Sequence, residues 1–216
     1  MSLINIKNLS LRINDQPILR NLNFEATSGE ILGVIGESGS GKSMTANSII
    51  QLLPNGSTLS GEIIFNQKNL LGISENDMCR IRGKDIGFIF QEPMTALNPL
   101  KNIGNQVAEV IKIHSPMNFS ESLNRAATIL ERVGLPQSKF PLSRYPFELS
   151  GGQRQRVVIA MAIAIKPKLV IADEPSTALD VTTQSKLITL LKNLVIEDNI
   201  CLIMITHDLS VIAEMA

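Results

Sequence analysis

The chain has 216 residues, with 20 Lys and Arg against 20 Asp and Glu, 44% hydrophobic and 19% charged, which suits one core with an appended subdomain. This balance excludes a disordered chain, a disulfide mini-protein and a strongly basic surface for bulk nucleic-acid binding. The longest apolar run, Val157 to Ile165, is nine residues, short of the roughly 20 needed to cross a bilayer, and the first seven residues lack the blocks of a secretion signal, so the expected compartment is the cytosol.

Residues 3–13, 18–26 and 31–35 read as extended segments, separated by Asn14-Asp15-Gln16-Pro17 and Ser28-Gly29-Glu30, residue types that favour tight reversals. Ser43 to Leu53 carries a helical pattern that stops at Pro54-Asn55-Gly56. Residues 61–66 read as a strand, Ser74-Glu75-Asn76-Asp77 as a helix cap, and 85–90 as a short apolar strand. Between Lys101 and Tyr145 the strand signal gives way to Leu123, Ala126, Ala127, Leu130 and Val133 at helical spacing, ending at Gly134 and Pro136. A helix near 151–165, a strand over 169–172, a helix through Leu187, Leu190, Leu191 and Leu194, and a strand over 200–205 complete the chain. Continuous apolar strands alternating with helices predict a parallel sheet covered on both faces. The two cysteines, Cys79 and Cys201, make neither a disulfide framework nor a metal cluster, and Cys201 in its apolar strand is expected to be buried and inert. His114 has no polar company and is expected to be structural.

Gly36-Glu37-Ser38-Gly39-Ser40-Gly41-Lys42-Ser43 follows an apolar strand and opens a helix, the setting a phosphate-binding loop requires. Its glycines let backbone N–H groups turn inward on an anion, the helix N-terminus adds its positive end, and the Ser43 hydroxyl can hold magnesium. Lys42 at a helix N-terminus opposes the dipole and needs an anion to justify it, which argues against a chance Gly/Ser linker. Asp173 and Glu174 end the buried strand that starts at Leu169; in phosphoryl transfer a first acid supports the metal and a second orients or deprotonates water. Gln91 and His207 each follow another strand. Parallel strand ends open on one edge, where ligands bind, so Lys42, Gln91, Asp173, Glu174 and His207 are expected to converge. Leu149-Ser150-Gly151-Gly152-Gln153 opens a helix and fits a capping box, but paired glycines there also expose N–H groups to a second anion. Because this segment follows no strand, it is expected to face away from its own phosphate loop and to serve another copy.

At these residues the chain resembles the ATP-binding-cassette ATPases. It has a Walker A loop at 36–43, Gln91 as the Q-loop glutamine, the signature at Leu149–Gln153, the Walker B strand at 169–174, the D-loop Ala178-Leu179-Asp180 and the switch His207, in the family's order. The resemblance implies an α/β P-loop NTPase fold, with a mainly parallel sheet core, an N-terminal antiparallel β-region and an inserted helical subdomain. Residues 1–90 and 166–216 would form the ATP-binding core and 91–165 the helical subdomain. It further implies ATP and Mg2+ as ligands. ATP would lie on residues 36–43 and on Ser150, Gly151, Gly152 and Gln153 of a second cassette; the metal would lie on Ser43, Asp173 and Gln91, with Glu174, His207 and Gln91 catalytic. The 90–99 stretch, Asp180-Val181-Thr182-Thr183-Gln184 and the 206–216 stretch are similar to the dipeptide, oligopeptide and nickel importers. The implied partners are transmembrane permease subunits, a second cassette and, through the permease, a periplasmic or extracellular substrate-binding protein, with no nucleic acid. The implied location is peripheral, on the cytoplasmic face of the inner membrane. Two features depart from the family. Ile13 stands where an aromatic residue usually stacks on adenine, and the family continues past the position of Ala216 with further strands and a helix, which implies a longer protein. A soluble cassette ATPase acting on DNA or ribosomes and a non-catalytic regulatory cassette share the same core motifs and remain open at this point.

Overall fold

The computed structural model describes residues 2–37, 39–177 and 179–215. Ser38 of the phosphate loop, Ala178 of the Ala178-Leu179-Asp180 segment, and Ala216 lie outside the described residues. The chain opens on an antiparallel sheet of order β2-β1-β4-β5, built from β1 (Ile4–Ile13), β2 (Gln16–Ala26), β4 (Ser57–Phe65) and β5 (Lys68–Asn69). The β1–β2 reversal falls on Asn14 and Asp15, with φ of 47° and 63°, the left-handed pair that a two-residue hairpin turn demands. The second sheet has order β3-β8-β7-β6 and is parallel throughout. It comprises β3 (Ile31–Ile35), β6 (Ile86–Ile89), β7 (Leu169–Asp173) and β8 (Cys201–Thr206).

Strand side chains alternate between faces, and the parallel sheet shows it by parity. Leu169, Ile171, Cys201, Ile203 and Ile205 pack toward the antiparallel sheet and α1 (Lys42–Ile49). Val170, Ala172, Leu202 and Met204 pack toward α6 (Gly151–Ile163), α7 (Val181–Asp198) and α8 (Leu209–Met215). Every residue of β7 and β8 is buried, as a parallel sheet covered on both sides predicts. Burial pushes the Cys201 thiol up to about 12, so it stays protonated and acts as a small apolar side chain.

Between β6 and β7 the chain is helical: α3 (Pro93–Ala96), α4 (Ile103–His114), α5 (Phe119–Arg132), a short 3-10 turn (Pro146–Glu148) and α6. Asn118 and Glu121 cap α5 reciprocally, and Gly134 (φ 83°) closes it with Leu135 N donating to Leu130 O, as the sequence predicts. Two expectations need adjustment. The helix expected to run to Leu53 ends at Ile49, where Gln51 (φ 53°) takes the left-handed position and Leu52 N donates to Asn47 O. The strand expected at 61–66 begins earlier, at Ser57, because β1 pairs with it along its length. Helix α8 goes beyond the expected elements, and the cap expected at Ser74 opens a full helix, α2 (Glu75–Ile81).

An ion cluster ties the end of α5 to the end of α7. Arg132 pairs with Glu197 at 2.7 Å and with Asp198, and Lys166 lies 3.4 Å from Asp198. Burial works against the Asp198 charge, but the hydrogen bond and charge of Arg132, then Lys166, hold its carboxyl below the usual range. Arg132→Ala is expected to leave Asp198 buried and half-paired, and so to cost about 2 kcal/mol, less than for a fully buried pair because Arg132 keeps some solvent contact. A shift in urea midpoint at pH 7 that shrinks as pH falls through the low pKa of Asp198 checks this.

Candidate functional site

All four strands of the parallel sheet run the same way, so their C-terminal tips share one edge. The registers align those tips: Ile35 pairs with Thr206, Asp173 with Ile205, and Ile89 with Ala172. The 36–43 loop, Gln91, Asp173-Glu174 and His207 therefore leave the sheet side by side.

The loop is shaped by its glycines. Gly41 has φ 93°, and a Cβ there would stand 2.8 Å from Leu19 Cδ2 and 3.3 Å from Ile18 O, so any other residue would be strained and pushed against β2. Gly41 is also the N-cap of α1, which among the described residues has no side-chain cap and has no acid in its first turn; the leading N–H groups of a helix are the ones left for an anion. Lys42 is 8% exposed and its Nζ donates to Gly36 O and Glu37 O, each at 2.7 Å. The buried ammonium thus rests on carbonyl dipoles of its own loop and folds the loop around the space a phosphate would fill.

Asp173 is buried, and its Oδ1 has no hydrogen-bond partner among the described residues. Burial raises its carboxyl above the usual range; the Ser43 hydroxyl bond opposes this, the Glu174 charge adds to it and Lys42 opposes it. Ser43, Glu174 and Lys42 therefore each lie within interaction range of Asp173. An orphaned buried carboxylate oxygen next to a hydroxyl is an all-oxygen donor set, which fits a hard divalent cation that takes its remaining ligands from water and phosphate. A raised carboxyl destabilises the folded chain as it ionises, so its favourable contribution is present at low pH and lost as pH rises through the folded value. Asp173→Asn without ligand is expected to be more stable than wild type at pH 7, the gap closing toward pH 4; urea unfolding at both pH values measures it.

Glu174 is the junction of the site. It has φ 46°, an uncommon conformation for a residue with a side chain. Its Oε2 accepts from Gln91 Nε2 at 3.2 Å and from Thr177 Oγ1 at 3.0 Å, and lies 3.2 Å from His207 Nδ1. The expected convergence of Lys42, Gln91, Asp173, Glu174 and His207 is thus what the structure places at this edge. Gln91 contacts Glu174 and not Ser43 or Asp173 by any hydrogen bond among the described residues. Thr177 was not anticipated, since only the turn after β7 brings it back onto Glu174.

Ser150 caps α6, and both halves of the capping box with Gln153 are present, so the plainer reading of this segment holds locally. Its glycines are unequal. A Cβ on Gly151 would meet nothing within 4 Å, whereas one on Gly152 would stand 2.6 Å from Thr183 Cγ2: Gly152 is needed for packing on α7, and Gly151 leaves an open backbone. Asp180 caps α7 by accepting from Thr183 N at 3.0 Å. Ile13 is half-buried and packs on the cluster between the sheets. His114 stands against Gly83, and burial lowers its pKa, which agrees with a structural role.

A family model described as "ABC transporter" matches residues 19–177. The chain is 45% identical over 220 residues to the oligopeptide transport ATP-binding protein OppD of Bacillus subtilis, covering 99% of this chain and 62% of that protein. It is 44% identical over 216 residues to OppD of Escherichia coli, covering 98% and 64%, so it spans less than two thirds of the length of these relatives. Among solved structures, the ATP-binding cassette MJ0796 in a dimeric post-hydrolysis state bound to ADP and Pi is similar, with TM-score 0.83 and 32% identity over 96% of this chain and 89% of that one. With these matches across nearly all of its length and the strand-edge geometry above, the chain belongs to the ABC transporter family of ATP-binding cassettes.

Proposed function

We propose that this chain binds and hydrolyses ATP and thereby powers import of peptides, or of nickel, through separate membrane subunits. The observation that carries this reading is the meeting of Lys42, Ser43, Asp173, Glu174, Gln91 and His207 at one sheet edge, with Asp173 Oδ1 lacking a hydrogen-bond partner among the described residues. The oligopeptide relatives support the substrate class. In the proposed reaction the triphosphate lies in the 36–43 loop, where backbone N–H groups and Lys42, leaving its loop carbonyls, neutralise the phosphate oxygens. Ser43 and Asp173 would hold Mg2+, which supplies charge neutralisation at the phosphates. Glu174 accepts a proton from, or orients, the water that attacks the γ-phosphorus, and His207 and Gln91 steady that carboxylate. The new P–O bond forms to the water oxygen as the bond to the β,γ-bridging oxygen breaks, and ADP and phosphate leave.

Ser150 and Gly151 are proposed to close the site of a second cassette, a head-to-tail pairing supported by the open Gly151 backbone and by the dimeric solved cassette. Residues 91–165 would act as the helical subdomain that meets the membrane subunits. A peripheral place on the cytoplasmic face, with a substrate-binding protein acting through those subunits, completes the proposal; among the described residues no helix is long and apolar enough to cross a membrane. Phosphate release from ATP with and without Mg2+, by the chain alone and with its membrane subunits, tests it: Mg2+-dependent turnover supports the reading, and ATP binding with no turnover in either setting overturns it in favour of a regulatory cassette.

A further inference from the structure

Tyr145 and Phe147 stack with ring centroids 5.5 Å apart and planes 13° from parallel, yet Phe147 is 67% exposed and Tyr145 38%. Tyr145 covers one face of the Phe147 ring and the other meets solvent, an arrangement that a third flat ring can extend. The pair is held in place by its own turn. Tyr145 N donates to Glu148 Oε2 and Arg154 Nε to Pro146 O, each at 2.7 Å, and Pro146 between the two rings is buried. A ring already fixed loses little freedom when it is covered. The phosphate loop, by contrast, is roofed by aliphatic side chains: Ile18 and Leu19 stand over Gly41. Ile13 packs on the cluster between the sheets, as does Phe24, which lines the groove beside Lys42. Phe147 precedes Ser150 by three residues, at most about 10 Å of chain, comparable with the span from the terminal phosphate of a nucleoside triphosphate to its base.

We propose that Phe147, backed by Tyr145, stacks on the purine base of the nucleotide held by a second copy of this chain. The inference rests on the proposed head-to-tail pairing and deepens it. A copy that sets Ser150 and Gly151 against its neighbour's phosphates has Phe147 within reach of the same nucleotide's base, so one segment, 145–151, seals both ends. In a two-fold pair each copy gives its Phe147 to the other's site. Stacking reads the face of a base and not its edges, so GTP is accepted as well as ATP.

In the Glu174→Gln chain, Phe147→Ala is expected to raise the ATP concentration for half-maximal dimerisation by about tenfold, within the range for losing one stacked base. The affinity of the dilute monomer for ATP should not change, and Phe147→Tyr should restore dimerisation. Phe147→Trp gives the chain its one tryptophan, a direct probe. Its emission should be quenched as the dimer forms with ATP or GTP, and not by nucleotide bound to the dilute monomer. An unquenched dimer marks Phe147 as a contact between proteins alone, and quenching complete in the monomer places the base against its own chain; either overturns the proposal. The Glu174→Gln parent separates the two claims. If it does not dimerise with ATP, the head-to-tail reading fails and this inference with it; if it does and Phe147→Ala dimerises at the same ATP concentration, only the stacking fails.

Discussion

Glu174→Gln is expected to keep ATP affinity and to lose at least about 100-fold in kcat, the lower range for removing a positioned general base. The reason is local. Glu174 follows the buried strand β7 and accepts from Gln91 and Thr177, so a glutamine of the same shape can remain in place while it cannot accept a proton from water. The loop of 36–43 and Lys42 are untouched, so nucleotide binding stays. Pre-steady-state phosphate release beside ATP titration calorimetry checks both halves, and wild-type turnover in the variant would remove Glu174 from its role.

Lys42→Ala acts on the other half of the site. Its ammonium is buried and donates to two loop carbonyls, so the substitution removes both the charge that meets the phosphates and the clasp that shapes the loop. Charge-assisted hydrogen bonds are worth about 1.5–3 kcal/mol each, so losing two should weaken ATP binding by about 100-fold or more. The remaining chain should fold, since the carbonyls freed at Gly36 and Glu37 lie near the surface, where water can reach them. Unchanged binding by calorimetry would contradict the loop assignment.

The parts of this site that sequence reading anticipates are those whose cause is local. The glycine spacing of 36–43 predicts its own backbone, the apolar run from Leu169 predicts a buried strand, and strand-then-polar-residue at Gln91 and His207 predicts a shared edge. What it misses depends on contacts between distant segments. Thr177 reaches Glu174 through the turn after β7, and Arg132 meets Asp198 across 66 positions of chain. Gln155 looks like any polar residue near a helix start, and only tertiary packing leaves its Nε2 without a hydrogen-bond partner among the described residues. The end of α1 is missed for a different reason: Gln51 takes a left-handed conformation that glycine would have signalled, so Pro54 was the first visible stop.

The central claim is that one triphosphate is held at the shared strand edge and that a second copy closes over it. Sedimentation of the Glu174→Gln chain with ATP and Mg2+ tests this most directly. The account predicts a dimer carrying two nucleotides that reverts to monomer without ATP and fails to form when Lys42 is also replaced by Ala. A monomer saturated with ATP, or a dimer indifferent to nucleotide, would contradict it.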